Sequence, residues 1–298
     1  MGRLIFGLVF IAAFLMSSCG GQKADEKVSV VSVDTTPPVQ KYGALQVKGI
    51  QLCDKEGNPV QLAGLSTMGY QWFGQCYTKE SITKMVKDWH ISILRLAMYV
   101  EEGGYNYKPE IKDEMCNLID ICEELGIYCI MDWHILTPGN PLDPRYSKAE
   151  EFFRYMAKRN ATKQNVLYEI CNEPNGSSVT WDTIATYANK IIPIIHEAYD
   201  KVGAPHPIVV VGTPQWCQLV DAPIKEGRFQ GNGKDLDAYL PDRDARLKFD
   251  NVMYSFHFYA ASHNEGFEKD GKPNYYDMYS YLYDVLGRLP VFCTELDV

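Results

Sequence analysis

Chemistry-bearing side chains gather at the ends of apolar runs in this sequence. Six runs close on polar or aromatic residues: Arg95 to Tyr99, Asp132-Trp133-His134, Asn172-Glu173-Pro174, Thr213 to Trp216, His257 to Tyr259, and Thr294-Glu295. One such ending is ordinary, because strands lead into loops. Six that together carry Arg, His, Asn, Tyr and two Glu point to a shared site. Glu173 and Glu295 form the pair with the plainest chemistry. Cleavage of a glycosidic bond needs an acid for the leaving oxygen and a carboxylate for the anomeric carbon. The Asp132-x-His134 spacing also occurs in metal-dependent barrels. No second Asp or His cluster stands at ligand spacing, so no metal is expected, and no cofactor is implied because two carboxylates and water suffice.

The elements that must position these residues alternate. Strand-like runs recur at Gln61–Ser66, Ile91–Met98, Ile127–Asp132, Val166–Cys171, Ile208–Gly212, Val252–Phe258 and Pro290–Glu295. Amphipathic helical stretches at Lys79–Trp89, Ile111–Leu125, Ala149–Asn160 and Trp181–Tyr199 lie between many of them. Near-continuous apolar strands are covered on both faces, as in a parallel sheet with crossover helices. A doubly wound sheet would offer a Gly-rich phosphate turn after its first strand, and none is present. The expected class is therefore α/β, a (β/α)8 TIM barrel, whose C-terminal strand ends converge on one face. A hairpin turning at Glu56-Gly57-Asn58 precedes it.

Composition agrees with a globular domain. The 298 residues are 46% hydrophobic and 22% charged, proportions that exclude a disordered or collagenous chain. Twenty-nine basic against 38 acidic side chains give a net charge of −9, which argues against a nucleic-acid partner. Arg3, the apolar run Leu4 to Met16 and Ser17-Ser18-Cys19 read as an export signal ending in a lipobox. Residues 1–18 are then a lipoprotein signal peptide, Cys19 is the lipidation site, 19–41 is a tether, and 42–298 is the barrel domain. That predicts an exported bacterial lipoprotein held to a membrane through its lipid anchor only, and otherwise monomeric. The other eight cysteines sit in packing contexts and are expected as free buried thiols, with Cys53–Cys76 and Cys116–Cys122 bridges as alternatives. Trp89 and Trp181 read as packing residues, and His90, His196 and His206 as surface or loop residues.

The run "NVLYEICNEPNG" resembles the acid/base signature of glycoside hydrolase family 5. "RLAMYVEEGGY", "GIYCIMDWHIL", "NVMYSFHFYA" and "LPVFCTEL" resemble the same family in order and spacing, from about Leu45 to the last residue. Together they look most like its bacterial endo-β-1,4-glucanases, which implies a retaining hydrolase of cellulose or related β-glucans. Carried over by position, the resemblance makes Glu173 the general acid/base and Glu295 the nucleophile. It assigns substrate contacts to Arg95, His134, Asn172, His257 and Tyr259, and stacking platforms to Trp72, Tyr99 and Trp216. Two departures stand out. Met68 occupies a position where these glucanases usually carry histidine. The chain also stops three residues after Glu295, so seven strands are visible and the eighth, with its usual tryptophan, is missing; the expectation is a sequence truncated at its C-terminus. Other β-glycanase activities on mannan, xylan or mixed-linkage glucan, and a non-catalytic glycan-binding lipoprotein, remain the alternatives.

Overall fold

The computed structural model describes residues 34–224, 239, 241, 244–259, 268–269, 272–273, 282–283 and 285–297. The segment expected to be a signal peptide, Cys19 and most of the expected tether lie outside the described residues. Two short helices are α1 (Pro38–Tyr42) and α2 (Tyr70–Phe73), followed by α3 (Lys79–Trp89), α4 (Ile111–Leu125), α5 (Ala149–Asn160) and α6 (Trp181–Asp200). The strands are β1 (Gln46–Lys48), β2 (Gln51–Cys53), β3 (Gly64–Ser66), β4 (Ile93–Tyr99), β5 (Tyr128–His134), β6 (Val166–Glu169), β7 (Val209–Val211), β8 (Val252–Tyr259), β9 (Glu268–Lys269), β10 (Lys272–Pro273) and β11 (Val291–Asp297). Among the described residues, β3, β4, β5, β6, β7, β8 and β11 form one parallel sheet in chain order. Each strand lies beside its successor, the winding of a nearly closed (β/α)8 barrel. The described residues from Thr36 onward belong to one compact unit.

The helix limits follow local chemistry. Thr78 and Ser81 make a reciprocal capping box at the start of α3, and Thr180 accepts from Thr183 N–H at the start of α6. Gly126 ends α4 with φ 69°, a left-handed conformation that glycine adopts without penalty. α6 ends one residue beyond the predicted stretch. Leu94, Leu96 and Met98 of β4, with Cys129, Met131 and Trp133 of β5, face the helices. The alternate residues Ile93, Tyr128, Ile130, Leu167, Ile208, Val210 and Met253 fill the barrel interior with Leu45 and Leu52 of the hairpin. The hairpin thus plugs the N-terminal end, where the Tyr128 hydroxyl donates to Gly43 O at 2.6 Å.

The structure corrects several local expectations. The turn at Glu56-Gly57-Asn58 exists, with Asn58 N–H on Asp54 Oδ1 at 2.8 Å, but the strand pairing precedes it. β1 and β2 turn at Gly49, φ 63°, and only an isolated bridge joins Cys53 to Pro59. Proline has no N–H to carry the ladder further. The first barrel strand shrinks to β3, which among the described residues pairs on one side only. All eight described cysteines are free, but Cys76 and Cys293 are exposed, Cys293 on the edge strand β11. Trp181 is fully buried, with Nε1–H on Ala245 O at 2.8 Å, whereas Trp89 is 66% exposed at the end of α3. His196 is buried on the inner face of α6.

Candidate active site

Strand alternation places Arg95, Asp132, Glu169, Ser255 and His257 inside the upper barrel, above the apolar plug. Arg95 is 2% exposed, and every arm of its guanidinium is used. Nε donates to Glu169 Oε2 at 2.6 Å. Nη1 donates to Ser66 Oγ at 3.2 Å and Glu295 Oε2 at 3.1 Å. Nη2 donates to Asn172 Oδ1 and forms an ion pair with Asp132 Oδ2 at 3.0 Å. Burial opposes its charge, but Asp132, Glu169 and Glu295 more than offset this and push the guanidinium above its ordinary value. Asp132 and Glu169 compete for that one cation. Burial drives Asp132 well up. For Glu169 burial is outweighed by Arg95 and His257, which bring it down to about 2.

A β-bulge aims the second carboxylate. Cys293 pairs with Phe256 and Glu295 with His257, so Thr294 is an extra residue. In a regular strand Thr294 and Glu295 would face opposite sides; the bulge brings both inward. Thr294 Oγ1 donates to Glu169 Oε1 at 2.7 Å, and Glu295 reaches Arg95. Glu173 approaches from the loop after β6, where its Oε1 meets His257 Nδ1 at 2.9 Å. One oxygen from each of Glu173 and Glu295 and one His257 nitrogen lie within 4.8 Å of one another.

The loop that carries Glu173 depends on a glycine. A β-carbon at Gly212, just past β7, would lie 2.3 Å from Cys171 O and 2.6 Å from Pro174 Cδ. Gly212→Ala must therefore push the Asn172–Pro174 segment off the barrel. A displacement of that kind is expected to lower kcat by about 10²-fold. Steady-state rates check it, and a wild-type kcat would show that this close packing does not place Glu173.

The remaining predicted residues lie beneath the opening or along its rim. Burial and Arg95 hold His134 down at about 3, so its neutral ring donates Nδ1–H to Asp132 Oδ2 at 2.7 Å. Its Nε2 accepts from Asn172 Nδ2 at 3.2 Å. Asn172 is fully buried, and its amide also donates to Ile135 O, so it braces the site from beneath. Tyr99 stacks on His134 at 3.8 Å between ring centroids, and Trp72 meets Tyr99 edge-on at 4.9 Å. These three rings form one wall, with Trp72 44% exposed. Tyr259 ends β8 in register with Asp297, two residues beyond Glu295. Trp216 is 40% exposed on a turn where Gln215, Trp216 and Cys217 all have positive φ, 56°, 54° and 59°. Successive left-handed residues cost roughly 1–2 kcal/mol each. Trp216 N–H on Pro174 O at 3.1 Å and Cys217 Sγ on Asn172 O at 3.0 Å hold them there.

The structure thus joins Arg95, His134, Asn172, Glu173, His257 and Glu295 in one network and sets Trp72, Tyr99, Trp216 and Tyr259 around it. Cys19 lies outside the described residues. Glu169 and Ser255 had no place in the sequence reading, and Thr294 and Asp132 were named there only as residues of strand ends, without the bracing roles they have here. A second group of ligand-type atoms, His196, His206 and Asp250, lies at the far ends of β7 and β8. There both His206 nitrogens already face carboxylates, Asp250 at 2.9 Å and Asp200 at 2.9 Å, and its ring stacks on His196. That group reads as a charge cluster rather than a cation cradle.

Residues 53–298 match the cellulase family, glycosyl hydrolase family 5. The chain belongs to that family. It is 45% identical over 264 residues to Endoglucanase E-5 of Thermobifida fusca and 38% identical over 264 residues to Endoglucanase CelA of Streptomyces lividans. Each match covers 88% of this chain and 50% of the relative, so the family 5 chain described here spans about half the length of either. Among solved structures, the catalytic domain of the Thermobifida fusca endoglucanase superposes with a TM-score of 0.71 at 41% identity. A Glu-to-Gln variant of that domain in complex with cellotetraose gives 0.72. Both comparisons cover 88% of this chain and 76% of the other.

Proposed function

We propose that this family 5 chain hydrolyses β-1,4-glucan from within, with retention of anomeric configuration. The observation that carries this is the approach of Glu173 and Glu295 to within 4.8 Å between oxygens. Retaining glycosidases hold their two carboxyl groups about 5–5.5 Å apart, whereas inverting ones leave about 6.5–9.5 Å for a water. Glu295 attacks the anomeric carbon as Glu173 gives its proton to the leaving oxygen, forming a glycosyl-enzyme and freeing one sugar end. Water then attacks the same carbon and gives a proton back to Glu173, and the bond to Glu295 breaks. Arg95 orients the nucleophile and His257 the acid. The endoglucanase names of the relatives and the cellotetraose complex of one neighbour support a glucan substrate. Trp72, Tyr99 and Trp216 offer the ring faces on which apolar sugar surfaces stack.

Met68 is 52% exposed and has no hydroxyl or ring nitrogen to meet a sugar, so polar recognition near it is reduced. The leader adds export and a lipid anchor at Cys19 to this proposal; no helix among the described residues is long and apolar enough to cross a membrane. Proton NMR of early products from cello-oligosaccharides tests the mechanism: the β-anomer is expected first. An initial α-product would refute retention, oligosaccharide binding without cleavage would refute catalysis, and faster cleavage of mannan or xylan would refute the glucan assignment.

A further inference from the structure

Glu169 stands between the two arms of the site, wholly buried on β6 and four residues before Glu173. Its Oε2 accepts from Arg95 Nε, the cation whose Nη1 reaches Glu295. Its Oε1 accepts the Thr294 hydroxyl at 2.7 Å; Ser255 Oγ lies 3.5 Å from that oxygen and 2.5 Å from Thr294 Oγ1, where it fills one of the two acceptor positions of the threonine. Thr294 Oγ1 lies 2.8 Å from His257 Nε2, and His257 Nδ1 lies 2.9 Å from Glu173 Oε1. Threonine has one hydroxyl proton to give. Since that proton goes to Glu169, Thr294 presents a lone pair to His257, and only an N–H on Nε2 satisfies it. We infer that Glu169, acting through Thr294, fixes a proton on His257 Nε2 and leaves Nδ1 as the atom that shares a proton with Glu173.

This inference rests on Glu173 being the acid/base proposed above. Glu169 and Thr294 are then positioning residues. In the acid form Glu173 donates its O–H to Nδ1; in the alternative arrangement the proton sits on Nδ1 and Glu173 accepts. The pair holds the same number of protons in both, so the relay decides where the proton rests and how readily it leaves toward a glycosidic oxygen. The charged groups facing His257 are Glu169 on β6, Glu173 after it, Glu295 on β11, Arg95 on β4 and Asp132 on β5. Burial works against a charge on the ring, but Glu169 and Glu173 outweigh both burial and Arg95 and hold it up at about 9.

Three substitutions in the full chain test the relay. Thr294→Val keeps the side-chain shape and deletes the hydroxyl, and Thr294→Ser restores it. Glu169→Gln has an amide that donates to Thr294, which turns the threonine proton toward His257. Long-range proton–nitrogen spectra of the histidine-labelled chain read the tautomer and titration of His257 whether or not turnover occurs. In the wild type, neutral His257 is expected as the Nε2–H tautomer. In Thr294→Val the ring is expected to lose its charge at least about one pH unit lower, carrying the alkaline limb of kcat/KM with it. A roughly tenfold fall in kcat with little change in KM should accompany this, the scale of one hydrogen bond. Thr294→Ser should stay near wild type, and Glu169→Gln should show the Nδ1–H tautomer. An unchanged His257 titration in Thr294→Val, or a serine variant as impaired as the valine one, would overturn the relay. An inactive wild type would overturn the acid/base reading of Glu173 instead, and the His257 spectra would still decide the relay.

Discussion

Glu173→Ala is expected to lower kcat on soluble cellulose derivatives by about 10²–10⁴-fold, the usual range for a lost general acid. The defect should shrink on aryl cellobiosides whose phenol leaves without protonation, because in the proposed mechanism Glu173 acts on the leaving oxygen in the first step. Glu295→Ala should be more severe and indifferent to the leaving group, since no glycosyl-enzyme can form without it. The contrast comes from the geometry. Glu173 is held by a histidine and approaches from a loop, whereas Glu295 is held by Arg95 from a bulged strand. Steady-state rates on both substrate types check it. Equal losses on the two substrates for Glu173→Ala, or a measurable glycosyl-enzyme in Glu295→Ala, would reverse or refute the assigned roles.

Much of this arrangement was legible in the sequence, for identifiable reasons. Helices α3, α4 and α5 were readable to the residue because their apolar periodicity begins and ends on ordinary signals, such as Thr78 and Gly126. The site residues were readable where they break the apolar pattern at a strand end, as Asp132, His134, Glu173 and Glu295 do. Glu169 breaks it too, inside "LYEIC", but a charge within an apolar strand looks like any exposed edge until its partner is known. That partner, Arg95, is 74 positions away in sequence. Thr294 was hidden for a different reason. Strict alternation puts it and Glu295 on opposite faces, and a bulge leaves no residue-type signal at a Thr-Glu pair. The left-handed turn at Gln215-Trp216-Cys217 carries no Gly or Asn to announce it, and is imposed by contacts to Asn172 and Pro174. In the hairpin, Glu-Gly-Asn was the stronger turn signal, yet Gly49 supplied the pairing turn.

Arg95 is where the fold and the chemistry depend on the same atoms, and Arg95→Met is expected to be the most damaging single change to stability. Asp132 and Glu169 are fully buried, and each contacts this guanidinium, at 3.0 and 2.6 Å. Removing one partner of a buried ion pair typically costs about 3–5 kcal/mol, because the other charge is left without compensation. The loss should depend on pH in a definite direction. In the wild type Glu169 titrates at about 2, below an ordinary carboxylate, so its pairing stabilises the fold at neutral pH and that contribution fades only as pH falls toward 2. Without Arg95 the buried carboxyls are easier to hold as neutral acids, so the variant is penalised most at neutral pH and least in acid. The gap in Tm between wild type and Arg95→Met should therefore be wide at pH 7 and narrow toward pH 4. Arg95→Lys separates the two roles. A lysine keeps the charge and recovers part of the stability, but its three hydrogens cannot serve Glu169, Asp132, Asn172, Ser66 and Glu295 together. Activity should stay low in Arg95→Lys even where Tm recovers, because Glu295 loses the donor that aims it. A Tm gap that is independent of pH, or full activity in Arg95→Lys, would mean that the guanidinium fork is not what ties the two halves of the site together.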